Sequence, residues 1–124
     1  MDTFEILSQL CSAAGVSGAE GSAAETAAKL LEEYGEVTLD NALGSVICKV
    51  GSWEDGKPVM LLDAHIDEIG MIVTYITEDG FLKISGCGGL DTRLLLAQQV
   101  TVYGKEKLTG IVTSTPPHLE KGRS

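Results

Sequence analysis

Basic residues are scarce in this chain. Lys and Arg together number 9 against 18 Asp and Glu, for a formal net charge of −9. Without a basic patch to neutralise phosphates, nonspecific nucleic-acid binding is disfavoured. Cys11, Cys48 and Cys87 are widely spaced and form no C-x-x-C. That excludes a zinc ribbon and a redox pair, and it predicts reduced, mostly buried thiols in a cytoplasmic protein. No apolar run approaches the ~18 residues of a membrane span. Asp2 and Glu5 interrupt the start of the chain, so the basic region and apolar core of a signal peptide are both missing. Neither a Ser/His/Asp order nor a nucleophile elbow is visible, which leaves nucleophilic hydrolysis unsupported.

What is present is one domain's worth of chain. The 124 residues are 44% apolar and 22% charged, which allows a core burying roughly two-thirds of the unfolded surface. Residues 2 to 14 read as an amphipathic helix opened by an Asp2/Glu5 capping box, with Phe4, Leu7, Leu10, Cys11 and Ala14 on one stripe. Gly15-Val16-Ser17-Gly18 breaks it. A second helix follows, with Ala23, Ala27, Leu30, Leu31 and Tyr34 as its apolar side and Gly35 as its stop.

From Glu36 the period becomes that of strands. Residues 37–39 and 45–50 read as strands around Asp40-Asn41-Ala42-Leu43-Gly44. Ser52 to Lys57 is a polar loop. Val59 to Leu62 is continuously apolar, as expected of a central strand covered on both faces. The order helix, helix, strand, strand, strand suits the start of a three-layer α/β domain. Beyond Gly70 no helix of useful length is expected. Residues 71–77 and 81–85 form a hairpin around Glu78-Asp79-Gly80, Gly86 to Gly89 is a tightly turning loop, and residues 100–103 pair with 108–112. This half reads as a small β barrel or sandwich, with a boundary near Ile69-Gly70.

The chemistry-bearing stretch is Pro58-Val59-Met60-Leu61-Leu62-Asp63-Ala64-His65-Ile66-Asp67-Glu68-Ile69-Gly70. Histidine is the commonest metal ligand, and a nearby carboxylate can accept its second ring proton and fix the tautomer. In an open α/β sheet, ligands bind beyond the carboxyl ends of the strands, where His65 would sit. On its own, His65-x-Asp67 leaves a structural histidine and a metal ligand both open. Glu68 reads as a ligand, a supporting group or a solvated charge, and Asp63 as a hydrogen-bonded structural acid. The Gly86–Gly89 loop lacks a phosphate-binding pattern. His118, after Pro116-Pro117, reads as a surface or interface residue.

Several segments, taken in order, form one pattern. They are Gly15-Val16-Ser17-Gly18-Ala19-Glu20, Asp40-Asn41-Ala42-Leu43-Gly44-Ser45, Ala64-His65-Ile66-Asp67-Glu68-Ile69-Gly70, Gly88-Gly89-Leu90-Asp91, Gln98-Gln99-Val100 and Pro116-Pro117-His118. The chain resembles the amino-terminal part of the dinuclear-metal aminopeptidases of the glutamyl/deblocking type, which include the tetrahedral aminopeptidases and some relatives labelled endoglucanase. Ser45 departs from the family's usual asparagine.

The resemblance implies a three-layer α/β metallopeptidase domain interrupted by a β-rich, PDZ-like dimerisation domain. Residues 1–69 would be the N-terminal part of the catalytic domain and 70–124 part of the dimerisation domain. It further implies two divalent metal ions, zinc or cobalt, with His65 a ligand to one of them and Asp67 a catalytic residue that orients the imidazole. Peptide N-termini would be cleaved by metal-activated water, in a homo-oligomer. The family's remaining ligands lie beyond the inserted domain, past residue 124. A catalytic zinc needs about three protein ligands, so this chain alone is expected to be inactive and to hold metal weakly or not at all. Two other readings remain: a non-catalytic assembly module with unpaired strand edges, and a glycosidase, for which no flanking carboxylate pair is marked.

Overall fold

A computed structural model describes residues 2–114. His118 and the Pro116-Pro117 step lie outside the described residues. The described elements are two helices, three strand pairs and one 3-10 turn. They fall into two compact units, Met1–Gly88 and Gly89–Ser124.

In the first unit, α1 (Thr3–Ser12) is opened by the predicted capping box. The Asp2 carboxylate accepts from Glu5 N–H at 2.8 Å, and Glu5 Oε2 accepts from Asp2 N–H at 3.1 Å. Two of the helix's orphan donors are thereby satisfied. The apolar stripe lacks cover, however: no residue of α1 is buried, and Phe4 is 78% exposed. α2 (Gly21–Leu31) supplies the buried apolar side chains Ala23, Ala24 and Ala28. Small side chains there let backbone approach closely. A Cβ on Gly15 would sit 3.0 Å from Ala23 Cβ, and one on Gly35 would strike the Lys49 carbonyl oxygen.

β1 (Glu36–Leu39) and β2 (Val46–Lys49) pair antiparallel, with Val37 opposite Cys48. Their turn is fixed by Asp40, whose carboxylate accepts from Ala42 N–H and Leu43 N–H at 3.1 and 3.0 Å. Gly44 closes it at φ 72°, a left-handed conformation that glycine adopts without steric penalty. β3 (Gly70–Ile76) and β4 (Leu82–Cys87) form the second hairpin, with a register shift between Val73 and Tyr75. β4 runs through Gly86 and Cys87, so the glycine loop expected from Gly86 begins only at Gly88.

Three further expectations fail in this unit. Val59 to Leu62 is not a strand, and Met60, Leu61 and Leu62 are 84%, 83% and 87% exposed. An apolar run becomes a central strand only where neighbouring strands take up its N–H and C=O groups and other layers cover its faces. The described residues supply neither. Asp63 likewise forms no side-chain hydrogen bond among the described residues. The cysteines are free as expected but not mostly buried: Cys11 is exposed, and Cys48 and Cys87 are intermediate.

The second unit contains a 3-10 turn (Thr92–Leu94) capped by Asp91, then β5 (Gln99–Tyr103) and β6 (Lys107–Ile111), paired antiparallel. From Gly70 onward the described elements are strands apart from that single turn. Among the described residues no helix is long and apolar enough to cross a membrane.

Candidate functional site

His65, Asp67 and Glu68 lie on an extended stretch that a long-range seam holds in place. Glu68 N–H donates to the Gly15 carbonyl at 2.8 Å, and Gly15 N–H donates back to Glu68 Oε1 at 3.3 Å. Val16 and Glu68 form an isolated parallel bridge. Gly70 lets the Val16 side chain approach, since a Cβ there would lie 2.5 Å from Val16 Cγ2. The 15–18 turn is itself tied down: Ala19 N–H donates to the Val16 carbonyl at 2.7 Å, and Gly18 takes φ 86°. Glu68 is thus a seam residue, exposed but tied to Gly15 through its backbone N–H and through Oε1.

The seam places three polar side chains in a row. His65 Nδ1 lies 3.0 Å from Asp67 Oδ1 and 3.1 Å from the Asp67 carbonyl oxygen. The Ser17 hydroxyl donates to the other carboxylate oxygen, Oδ2, through a short hydrogen bond. A carbonyl oxygen can only accept, so in the neutral ring Nδ1 carries the proton and donates to both Asp67 oxygens. Nε2 is left with its lone pair, and no hydrogen bond reaches it from the described residues. The His65 side chain is 86% exposed. The Ser17 hydroxyl, followed by the His65 ring, holds the Asp67 carboxyl below its ordinary range, because both interactions favour the charged form.

An imidazole with one nitrogen engaged by a carboxylate and the other open fits one donor of a metal centre. It does not amount to a whole one. Among the described residues no group of three or more His, Cys, Asp or Glu side chains could hold an ion. A cavity of about 420 Å³ beside His65 is bounded by the apolar Leu10, Ala13, Ala27 and Ile66 and also by Cys11 and Glu68, which among the described residues do not join His65 in a group able to hold an ion.

In the sequence, Gly15 and Ser17 mark a turn, Gly70 marks a boundary, and all three fall within the family pattern, but nothing local gives them a part in the site, because their partners are about 50 residues away.

The described residues thus combine a mixed helix–strand architecture with one carboxylate-oriented histidine. The chain belongs to the M42 glutamyl aminopeptidase family, whose model matches residues 44–124. It is 28% identical over 123 residues to the lysyl aminopeptidase of Pyrococcus furiosus, covering 98% of this chain and 35% of that one. A TET aminopeptidase from a marine sediment Thaumarchaeota archaeon aligns with a TM-score of 0.82 at 34% identity, over 94% of this chain and 33% of that one. The TET1 peptidase of Pyrococcus horikoshii, which can assemble into a tetrahedron or a large octahedral shell, aligns with a TM-score of 0.78 at 34% identity, over 98% of this chain and 36% of that one. The chain therefore spans about a third of the length of these relatives.

Proposed function

We propose that this chain is the N-terminal portion of a metal-dependent aminopeptidase, in which His65 is one metal ligand and Asp67 the residue that orients it. The observation that carries this reading is the pair of contacts from Asp67 oxygens to His65 Nδ1, which turn Nε2 outward as a lone-pair donor. Divalent zinc or cobalt in such a centre would activate water against a peptide carbonyl near a free amino terminus. The described residues of this chain contribute one ligand and its orienter, and the remaining ligands would come from elsewhere. Asp67 holds a proton on Nδ1, and the seam from Gly15 to Glu68 fixes the backbone that presents the ring.

The same reading includes a three-layer α/β domain interrupted after Ile69 by a β-rich, PDZ-like dimerisation domain. It also includes homo-oligomeric assembly, supported by the shells that the related TET1 peptidase can form. The family is named for glutamyl specificity and one relative for lysyl specificity, so no residue preference carries over.

The test is an assay of residues 1–124, loaded with Zn²⁺ or Co²⁺, on amino-acyl chromogenic substrates. No turnover is expected. Turnover that disappears in His65→Ala would overturn the inactivity of the isolated chain. A second reading, a non-catalytic assembly module, draws on the exposed apolar side chains of the hairpins, such as Ile72, Tyr75 and Ile111. Light scattering separates the two, and a strictly monomeric folded chain would sink the assembly reading.

A further inference from the structure

The short bond from Ser17 to Asp67 spans 50 positions of sequence and touches the carboxylate on the oxygen that His65 does not use. A carboxylate held at one oxygen only can rotate about its Cβ–Cγ bond, and on an exposed loop little else stops it. Among the described residues the side-chain groups bonded to the Asp67 carboxylate are the Ser17 hydroxyl on Oδ2 and the His65 ring on Oδ1. Ser17 is itself exposed, so its packing does little to hold the loop. What remains for it is the hydroxyl. The turn that carries it is anchored to the same stretch by Gly15 and Glu68, so the hydroxyl arrives with its backbone already placed.

We infer that Ser17 is a positioning residue: its hydroxyl locks the Asp67 carboxylate in the rotation that, together with the Asp67 carbonyl oxygen, keeps the proton of His65 on Nδ1 and leaves Nε2 free to bind. The inference deepens the aminopeptidase reading and relies on it only for the use to which Nε2 is put. The hold of Ser17 on the His65 tautomer can be measured without metal or peptide, so failure of one does not entail failure of the other.

The experiment is ¹⁵N NMR of the imidazole nitrogens in the 124-residue chain at about pH 9, well above the ordinary histidine range. His65 is assigned by comparison with His65→Gln. The unmodified chain is expected to show His65 mainly in the Nδ1–H form. Ser17→Ala should weaken that preference, since only the Asp67 carbonyl oxygen at 3.1 Å then accepts reliably from Nδ1, and should shift the ring toward the Nε2–H form that free imidazole side chains favour. Ser17→Thr, which keeps a hydroxyl, should retain it, and Ser17→Val, which has the shape of threonine without the hydroxyl, should weaken it as alanine does. An unmodified chain dominated by Nε2–H overturns the inference, as does an unchanged tautomer in Ser17→Ala. Equal loss in Ser17→Thr and Ser17→Val also overturns it, because packing rather than the hydroxyl would then be responsible. Amide spectra report whether each variant is folded. If Ser17→Ala fails to fold, the Thr and Val pair decides, and failure of both hydroxyl-free variants to fold counts against positioning and for a structural role.

Discussion

Met60, Leu61 and Leu62 are each more than 80% exposed and belong to no strand. A few residues on, Glu68 trades hydrogen bonds with Gly15, and Asp67 is held from both sides by Ser17 and His65. By sequence the first stretch is the better strand, being apolar and continuous. The second is polar and contains two acids. Their structures reverse that ranking because extended backbone is ordered by the partners it finds. The 65–68 stretch meets the Gly15–Gly18 turn inside its own unit. The 59–62 run needs neighbours on both sides, and the described residues do not provide them.

The largest effect expected from this contrast is catalytic. In a chimera where this chain replaces the matching third of the Pyrococcus horikoshii TET1 peptidase, His65→Ala should abolish peptide hydrolysis. Asp67→Asn should reduce metal affinity or activity by roughly 10- to 100-fold, the usual penalty for removing a ligand's orienting partner. Full activity in His65→Ala would remove His65 from the site.

Next is the stability of the seam. Gly70→Ala drives a methyl group into Val16 and should destabilise the first unit by about 1–3 kcal/mol, as overpacking does. Met60→Ala, in the exposed run, should change stability by no more than about 0.5 kcal/mol. Urea unfolding measures both. Equal effects would erase the distinction between the two stretches.

Hydrogen exchange sharpens the same comparison. The Glu68 amide, which donates to Gly15, should exchange at least about tenfold more slowly than the amides of 60–62, after correction for intrinsic rates. Protection of 60–62 equal to that of Glu68 would show the run to be paired after all.

The smallest effect concerns a carboxylate held by purely local contacts. The Arg93 side chain, then its backbone N–H, lowers the Asp91 carboxyl from its ordinary range. Since the folded value is depressed, the stabilisation is complete above the unfolded value and is lost as pH falls through the folded one. Arg93→Ala should bring the Asp91 titration, followed by NMR, back toward the usual range while leaving Asp67 unmoved. A concerted shift of both acids would mean that the Asp67 environment is not specific to its seam.

Much of the local structure was legible because its causes are local. The capping box of Asp2 and Glu5 requires three residues of separation, and the Asp40–Gly44 turn requires an Asx acceptor and one left-handed glycine. The Thr77–Phe81 turn likewise follows from Gly80 at φ 82°. His65 and Asp67 were legible as a pair because two residues along an extended chain bring a carboxylate within reach of the ring. The apolar run misled for a definite reason. Its composition reports what a strand would need for burial and says nothing of whether cover is at hand. Ser17 stayed silent because a serine in a glycine turn looks the same whether its hydroxyl meets water or a carboxylate.

The sequence by itself determined the helices and hairpins, the His65–Asp67 pair at the end of an apolar run, and the family whose ordered motifs it carries. Those features rest on short-range geometry and on residue identity. Only the tertiary structure decided which nitrogen of His65 is open, that Glu68 is a seam residue, and that Ser17 closes the row. Each of these depends on the Gly15–Gly18 turn lying against residues 65–68, and contacts between segments some 50 positions apart arise from folding, not from any local pattern in the chain.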